Sequence, residues 1–378
     1  MTAAVAPASG SSGRGGLPVL GQLSTIGRIA LVFTVVASVA AIVLDFVLHA
    51  DANLVFLVAA VGILGLAWVV GLSTERLGSL TGPQVGGILN ATFGNIAELI
   101  IAFFALQAGL IEVVKASITG SIIGNLLLVL GASILVGGLR HGTQTFSPRR
   151  ASSNASLLVL AVIGLFVPAV FAFSTGDPAQ GSLTEESVLV AIALMVGYVL
   201  SLIHQFTNAD ETLGGHGETA EHGGPAWTAR VAIGVLVGAA ILLAVLSEVL
   251  IGSIQSFIDS FGLSAFFVGV VLVPTIGNLA EHLVAVQLAA KNKLEFAMAV
   301  SYGSSLQVAL FVAPVLVLLG ALLGKPMDLV FTPLEVAAVG AAVGISALIA
   351  LDGESNWLEG ALLMIVYVIL AVSFFEIV

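Results

Sequence analysis

The stretch Gly94-Asn95-Ile96-Ala97-Glu98-Leu99 recurs 183 positions later as Gly277-Asn278-Leu279-Ala280-Glu281-His282. Each copy places a glutamate inside an apolar stretch that is long enough to span a membrane. A charged carboxylate at the centre of a bilayer costs at least about 2.5–3.5 kcal/mol, so intramembrane acids are usually functional. The two copies therefore predict a duplicated unit with one polar site at its centre.

The composition indicates a membrane protein. Of the 378 residues, 58% are hydrophobic and only 9% are charged, whereas soluble domains carry about 25% charged residues. The chain has no cysteine, which excludes disulfides, thiolate metal sites and cysteine catalysis. The net charge of −11 is spread over loops and a few intramembrane positions, so we expect a lipid bilayer and no nucleic acid as partner.

Eleven segments have the roughly 20 mainly apolar residues that cross a bilayer. We therefore predict an all-α membrane protein with 11 transmembrane helices, at residues 25–48, 53–73, 84–108, 112–137, 155–174, 187–206, 229–251, 263–290, 295–320, 328–350 and 357–377. We interpret residues 1–24, rich in Ala, Gly and Ser, as a disordered tail rather than a signal peptide. Residues 207–228 are acidic, rich in Gly and interspersed with His, which predicts a flexible linker.

The basic residues predict the orientation of the chain. Only Lys115 and Lys325 fall on one side of this topology, and nine fall on the other: Arg14, Arg28, Arg76, Arg140, Arg149, Arg150, Arg230, Lys291 and Lys293. The positive-inside rule then places the amino terminus in the cytoplasm and the carboxyl terminus outside. The short loops favour a bacterial cytoplasmic membrane.

The similarity between the two halves extends beyond the glutamate motifs. At the same offset, identical residues are paired as Thr92 with Thr275, Asn95 with Asn278, Gly120 with Gly303 and Ser121 with Ser304. The third and eighth segments are five crossings apart, so they run in opposite directions. We therefore predict two inverted-topology repeats of five helices, residues 53–206 and 229–378, with residues 25–48 as an extra helix. Inverted repeats with broken helices at the midplane are frequent in secondary transporters.

The two motifs offer oxygen ligands. On a helix, Thr92, Asn95 and Glu98 form one polar stripe, and Thr275, Asn278 and Glu281 form another. Hard divalent cations such as calcium take about six to eight oxygens from carboxylates, carbonyls and waters. We expect Glu98 and Glu281 to bind the metal, assisted by Asn95, Asn278 and unwound carbonyls near Gly94 and Gly277. The alternative is that the Thr and Asn side chains satisfy local backbone and the glutamates are protonated packing groups.

Charge balance suggests a mechanism. Two carboxylates with one divalent cation are neutral, and so are two carboxylates with two protons. Either state can cross a low-dielectric barrier, whereas the bare dianion is strongly disfavoured. Competition between the two kinds of ion at one site then couples their exchange. This reading needs no cofactor, because the cation and the protons are cargo.

Further polar residues lie in apolar surroundings near these motifs. They are Ser121 and Asn125 in the fourth segment, and Ser304, Ser305 and Gln307 in the ninth. They can line an ion path, or they can hydrogen-bond between helices as in many membrane proteins. His282 stands where the first copy has Leu99. It can act as a proton relay or as a gating partner of Glu281, or it can be satisfied by backbone.

Enzyme signatures are missing from the chain. It has no His-Glu-x-x-His for a zinc protease, no Gly-x-Ser-x-Gly elbow and no P-loop. The short loops leave no room for the machinery of an ATP-driven pump.

At these residues the chain resembles the calcium/proton antiporters of the cation exchanger family, within the calcium/cation antiporter superfamily. The matching stretches are 86–98, 273–282, 120–125 and 303–311. The resemblance implies that Glu98 and Glu281 bind cation and protons, that Ser305 and Gln307 line the path and that His282 modulates proton coupling. It also implies expulsion of calcium from the cytoplasm. The family's central loop usually forms an acidic helix, and the short, Gly-rich linker here departs from that pattern.

Other functions compete with this interpretation. A sodium/calcium exchanger often has an aspartate in the fourth or ninth segment, and neither segment has one. Manganese also suits oxygen ligands. A passive cation channel and an intramembrane hydrolase come from different classes, and the chain has no nucleophile–base arrangement for the second. A homo-oligomer is left open.

Overall fold

The computed structural model describes residues 23–81, 83–175, 180–207 and 227–376. Most of the expected tail 1–24 and most of the expected linker 207–228 lie outside the described residues. Within the described part, the chain is almost entirely helical, and its only strands are two of two residues each.

The α-helices follow one another along the chain with bounds that largely match the expected segments. They are α1 Thr25–Phe46, α2 Ala52–Thr81, α3 Pro83–Phe93, α4 Ile96–Gln107, α5 Ile111–Ile123, α6 Leu130–His141, α7 Pro148–Thr175, α8 Gln180–Thr207, α9 Ala229–Phe261, α10 Ala265–Phe267, α11 Val273–Ala289, α12 Leu294–Gln307, α13 Ala313–Leu322, α14 Pro333–Ile349 and α15 Trp357–Phe375. The strands β1 (Gln144–Thr145) and β2 (Glu354–Ser355) pair antiparallel.

Among the described residues, nine helical stretches are long and apolar enough to cross a membrane. Two shorter apolar helices, α4 and α14, have 12 and 17 residues. The expected third segment contains α3 and α4, and the expected tenth contains α14. The chain is therefore a multi-pass membrane protein whose described residues are nearly all helical.

The expected third segment is broken at the first glutamate motif. Between α3 and α4 lie Gly94 and Asn95, and Asn95 has non-helical backbone angles of φ −105° and ψ 29°. The break matches the expectation of unwound backbone near Gly94.

The expectation of unwinding near Gly277 is wrong, because α11 runs without interruption through the second motif. The irregularity lies one turn earlier, where Val268–Leu272 forms a π-helical segment. Pro274 has no N–H to donate inside a helix, and π-bulges accommodate such a missing bond. This segment also packs closely on α5, since a Cβ on Gly120 would lie 2.0 Å from the Val270 carbonyl oxygen.

Two more π-helical segments interrupt the central spans. Gly124–Val129 separates α5 from α6, and Val308–Val312 separates α12 from α13. Each begins beside a polar residue that the sequence singles out, Asn125 in the first and Gln307 just before the second. π-Bulges are frequently found at functional sites.

Helices α2 and α9 form a long antiparallel pair. At one end, the Asn53 amide donates to the Ser260 hydroxyl at 3.1 Å, and the rings of Phe56 and Phe257 stack with centroids 4.2 Å apart. Farther along, Gly62 leaves room for Leu246, whose Cδ1 would lie 2.7 Å from a Cβ there. This pair flanks the central helices α4 and α11, which carry the glutamates.

Candidate ion site at the crossing of the two glutamate motifs

The two motifs meet reciprocally. A Cβ on Gly277 would lie 3.0 Å from Cγ of Glu98. A Cβ on Gly94 would lie 3.7 Å from Oε1 of Glu281. Each glycine therefore faces the glutamate of the other motif, and the missing side chains allow the two segments to cross at close range. The structure brings Glu98, Glu281, Gly94 and Gly277 together, as the sequence predicts.

The carboxylates at this crossing are short of hydrogen-bond partners. Glu98 is 7% exposed, and both of its carboxylate oxygens are buried without a close hydrogen bond from the described residues. The Asn278 side chain lies beside the Glu98 carboxylate, but its amide nitrogen makes no close hydrogen bond, and neither does Oε2 of Glu281. Buried polar atoms are nearly always hydrogen-bonded. Buried carboxylate oxygens without close hydrogen bonds, brought together at one crossing, therefore fit a site that takes up a cation or protons.

Asn95 is fixed by the opposite half of the chain. Its amide nitrogen donates to the Ser304 carbonyl at 3.2 Å and to Oε1 of Gln307 at 3.0 Å. Its amide oxygen accepts from the Ser304 hydroxyl at 2.8 Å, and that hydroxyl also accepts from the Asn125 amide at 2.9 Å. These bonds hold the break after Gly94 in place. Asn95, Asn125, Ser304 and Gln307 thus form one network beside the glutamates.

Three expected site hydroxyls satisfy their own helices. The Thr92 and Thr275 hydroxyls donate to the carbonyls of Ile88 and Val271 at 2.8 and 2.6 Å. The Ser305 hydroxyl donates to the Ser301 carbonyl at 2.9 Å and is fully buried. These contacts match the local-backbone alternative for Thr92 and Thr275, and Ser305 likewise serves its own helix.

His282 faces away from the crossing. With Ser121, Thr275 and Tyr367, it lines a small cavity of about 10 Å³ between α5, α11 and α15, which is sized for about one water molecule. Neither glutamate lines this cavity. Ser121 and His282 are therefore neighbours of the candidate site and lie outside its carboxylate pair.

A polar cluster that the sequence reasoning missed ties α5 to the start of α14. Lys115 forms an ion pair with Asp328 and donates to the Val330 carbonyl at 2.9 Å. One turn farther along α5, Thr119 donates to Glu335 at 3.0 Å. Glu335 is only 2% exposed and forms a capping box with Thr332. The spacing of Thr332 and Glu335 just before an apolar run is the signal for this cap.

Known proteins resemble the chain over nearly its whole length. Residues 51–207 and 231–375 match the sodium/calcium exchanger protein family. The Ca(2+)/H(+) antiporter of Aphanothece halophytica is 44% identical over 341 residues, covering 87% of this chain and 91% of the relative. The Ca(2+)/H(+) antiporter ChaA of Bacillus subtilis is 42% identical, covering 90% and 97%.

Solved structures agree with the fold. Native YfkE superimposes with a TM-score of 0.79 at 37% identity, covering 92% of this chain and 99% of that one. The H+/Ca2+ exchanger CAX superimposes with a TM-score of 0.71 at 14% identity, covering 93% and 92%, which supports the fold alone. The chain belongs to the sodium/calcium exchanger protein family.

Proposed function

We propose that this protein is a secondary antiporter that exports Ca²⁺ from the cytoplasm in exchange for H⁺, by alternating access at a site built around Glu98 and Glu281. The observation that carries the proposal is the reciprocal crossing, where carboxylate oxygens of both glutamates are buried without a close hydrogen bond. Relatives at 42–45% identity are named Ca(2+)/H(+) antiporters. From these relatives we also infer that this chain is a transporter and not an enzyme.

The charge of the site suits exchange of one divalent cation for protons. Among the described residues, no group of three or more acidic or histidine side chains is placed to hold a metal, so the site relies on two carboxylates. One Ca²⁺ or two protons neutralise this pair, and the empty dianion is disfavoured in a low-dielectric interior. Calcium prefers about six to eight oxygens. Glu98, Glu281, the carbonyls at the break beside Gly94, and water supply oxygens of the required kind.

The helices support eleven spans in two inverted repeats. The nine long stretches, together with the α3–α4 pair and α14, give eleven crossings. The π-helical segments add independent support, because Val308–Val312 lies 183 positions after residues 125–129 of Gly124–Val129. The two repeats, residues 53–206 and 229–378, then follow the extra helix at residues 25–48.

Contacts between loops support the predicted division of the connections between two sides of the membrane. Three connections predicted to be cytoplasmic touch one another: β1 pairs with β2, and Arg150 forms an ion pair with Glu295 at 2.7 Å. The segments joined by Lys115 and Asp328 are both predicted to lie outside. On the cytoplasmic half of α3 and α11, Thr92 is exposed and Glu281 is partly exposed, whereas Glu98 is buried. We infer that this conformation admits ions from the cytoplasm.

Sodium/calcium exchange is not favoured. Relatives of the chain with more than 40% identity are named for proton exchange. The sodium–calcium exchanger structures that resemble it share 16–19% identity, and so they support the fold alone. Within the antiporter reading, the assignments of Asn95, Asn278, Gln307 and His282 and a homo-oligomeric state stay predictions.

Transport in proteoliposomes tests the proposal. The purified chain is reconstituted, a pH gradient is imposed, and uptake of radioactive calcium is measured with and without a sodium gradient. We expect uptake that requires the pH gradient, collapses when a protonophore is added and ignores sodium. Uptake that depends on sodium, or that persists without a pH gradient, would overturn proton coupling. A parallel series with manganese measures the preference between divalent cations.

A further inference from the structure

The cytoplasmic end of α11 is capped by a buried glutamine from a different part of the chain. The Gln144 amide nitrogen donates to the Ala289 carbonyl at 3.1 Å and to the Asn292 side-chain oxygen at 2.9 Å. The Gln144 side chain is only 2% exposed. Next to it, Nε2 of His141 is 3.0 Å from the Ala290 carbonyl. The last carbonyls of a helix have no partner within it. The Ala289 carbonyl also accepts from the Asn292 backbone N–H at 3.0 Å, so Gln144 adds a side-chain donor to the backbone hydrogen bonds at the end of α11.

The position of Gln144 is fixed from several sides. Its backbone belongs to β1 and pairs with Ser355 of β2. Its side chain fills the space where Gly137 lacks a Cβ, which would lie 1.9 Å from Oε1 of Gln144. The Ala289 carbonyl accepts and cannot donate, so the nitrogen of the amide must point towards it. The Gln144 amide nitrogen is therefore held in place as a donor to the Ala289 carbonyl.

The opposite end of the molecule has the same arrangement without the polar cap. At the offset of the repeat, Gly320 takes the place of Gly137 and Met327 takes the place of Gln144. Gly320 lies against Leu106 near the end of α4, whose Cδ2 would be 3.5 Å from a Cβ there. Met327 is 1% exposed. The two helix ends share their backbone hydrogen bonds, from Leu110 N–H to Ala105 after Glu98 and from Lys293 N–H to Leu288 after Glu281. In the described structure, the end after Glu281 has a side-chain amide donor as well, whereas apolar groups pack against the end after Glu98.

We propose that Gln144 is a positioning residue for ion exchange, which holds α11 in the register that keeps Glu281 against Gly94. Glu281 lies eight residues before Ala289, about 12 Å along a continuous helix, so a shift of the capped end moves the carboxylate. The proposal rests on the function proposed above. His141 contributes less, because it is exposed and water competes for its hydrogen bond.

Calcium kinetics test this role with matched variants. Gln144→Met copies Met327 at the opposite end, keeps the side-chain length and removes both donors. We expect about a tenfold rise in the KM for Ca²⁺ at a kcat within about twofold of wild type, because the end of α11 loses both hydrogen bonds from Gln144. Thr145→Ala, at the exposed neighbouring position of β1, should leave KM unchanged. Rates are normalised to the folded protein recovered by size exclusion.

A merely structural role would lower the amount of folded protein and leave the KM of the remainder unchanged, and that result would overturn the proposal. Gln144→Glu offers a second variant, because its carboxylate has no donor for the Ala289 carbonyl. It should raise KM at least as much as Gln144→Met.

A distance measurement tests whether Gln144 positions α11 without relying on a transport assay. The chain has no cysteine, so Leu139→Cys on α6 and Leu283→Cys on α11, which are 66% and 54% exposed, provide a clean pair of spin-label sites. We expect one narrow distance distribution with Gln144 present and a broader or shifted one with Gln144→Met. Identical distance distributions would contradict the proposal that Gln144 positions α11. This result does not depend on which ion the protein transports. If the unmodified chain exchanged no calcium, the proposed function would be contradicted instead.

Discussion

The same five-residue pattern, Gly-Asn-x-Ala-Glu, adopts two different local structures in one molecule. Around Glu98 the helix is broken into α3 and α4, and the carboxylate is buried. Around Glu281 the helix is continuous, and the carboxylate is partly exposed. Because the motifs share their pattern, the difference must come from their surroundings. The comparison teaches that one repeated motif can place its two glutamates on different supports, one beside a helix break and one on a continuous helix.

The supports differ in what holds them. Helix α3 leans on α2, where a Cβ on Gly86 would lie 3.0 Å from Cα of Gly78. Helix α11 is tied at its end to Gln144 and His141. We infer that Gln144 supports Glu281 through the end of α11, whereas the hydrogen bonds of Asn95 to Ser304 and Gln307 support the break beside Glu98.

Neutralising either glutamate should produce the largest effect. Glu98→Gln and Glu281→Gln each remove one of the two charges that balance a divalent cation, so we expect proton-driven calcium uptake to fall at least about 100-fold in both. Glu248→Gln, at an exposed position of α9, serves as the matched control and should transport normally. Substantial uptake by either single variant would contradict the prediction that both glutamates are required for calcium transport.

Filling the glycines at the crossing should come next. Gly277→Ala places a methyl group 3.0 Å from Cγ of Glu98, and Gly94→Ala places one 2.7 Å from the Asn90 carbonyl. Overpacking of this kind typically costs about 1–3 kcal/mol, so the KM for Ca²⁺ should rise about tenfold or more. Gly252→Ala on α9 meets open space and should have no effect. Normal kinetics for Gly277→Ala would mean that the two motifs do not cross at close range during transport.

The two asparagines should separate stability from transport. Asn95→Ala leaves buried partners in Ser304 and Gln307 unsatisfied, which typically costs about 1–3 kcal/mol, so the melting temperature should fall by several degrees. Asn278→Ala removes an amide nitrogen that lies beside the Glu98 carboxylate but makes no close hydrogen bond in the described structure. Its melting temperature should stay near that of wild type, while calcium uptake falls. Thermal unfolding by intrinsic fluorescence, paired with uptake, checks both. Equal melting temperatures for Asn95→Ala and Asn278→Ala would contradict the conclusion that the two motifs are supported differently.

The ion pairs at opposite ends should have the smallest effects. Lys115→Met breaks the pair with Asp328, and Arg150→Met breaks the pair with Glu295. Partly exposed ion pairs usually contribute about 0–1 kcal/mol, so each variant should melt within a few degrees of wild type and keep its KM. If only one of the two variants lost transport, its ion pair would be required for gating at that end of the protein.

The sequence predicts much of this arrangement from short-range signals. The repeated motif and the odd number of intervening crossings predict that Glu98 and Glu281 meet, and apolar length predicts most spans. The fate of each glycine is not predictable in the same way, because Gly94 and Gly277 have similar neighbours. Continuity at Gly277 depends on Pro274, on the π-helical segment before it and on the close packing of Gly120. Gln144 is a single glutamine in a loop, and only the fold brings it to α11.

The central claim is that calcium and protons compete for the two crossed carboxylates. It is tested most directly by following proton release, with a pH-sensitive dye in weakly buffered detergent solution, while calcium is added to the purified protein. We expect the unmodified chain to release protons as it binds Ca²⁺, and the double variant Glu98→Gln/Glu281→Gln to bind no calcium and release no protons. Calcium binding with unchanged affinity and unchanged proton release in the double variant would contradict the account.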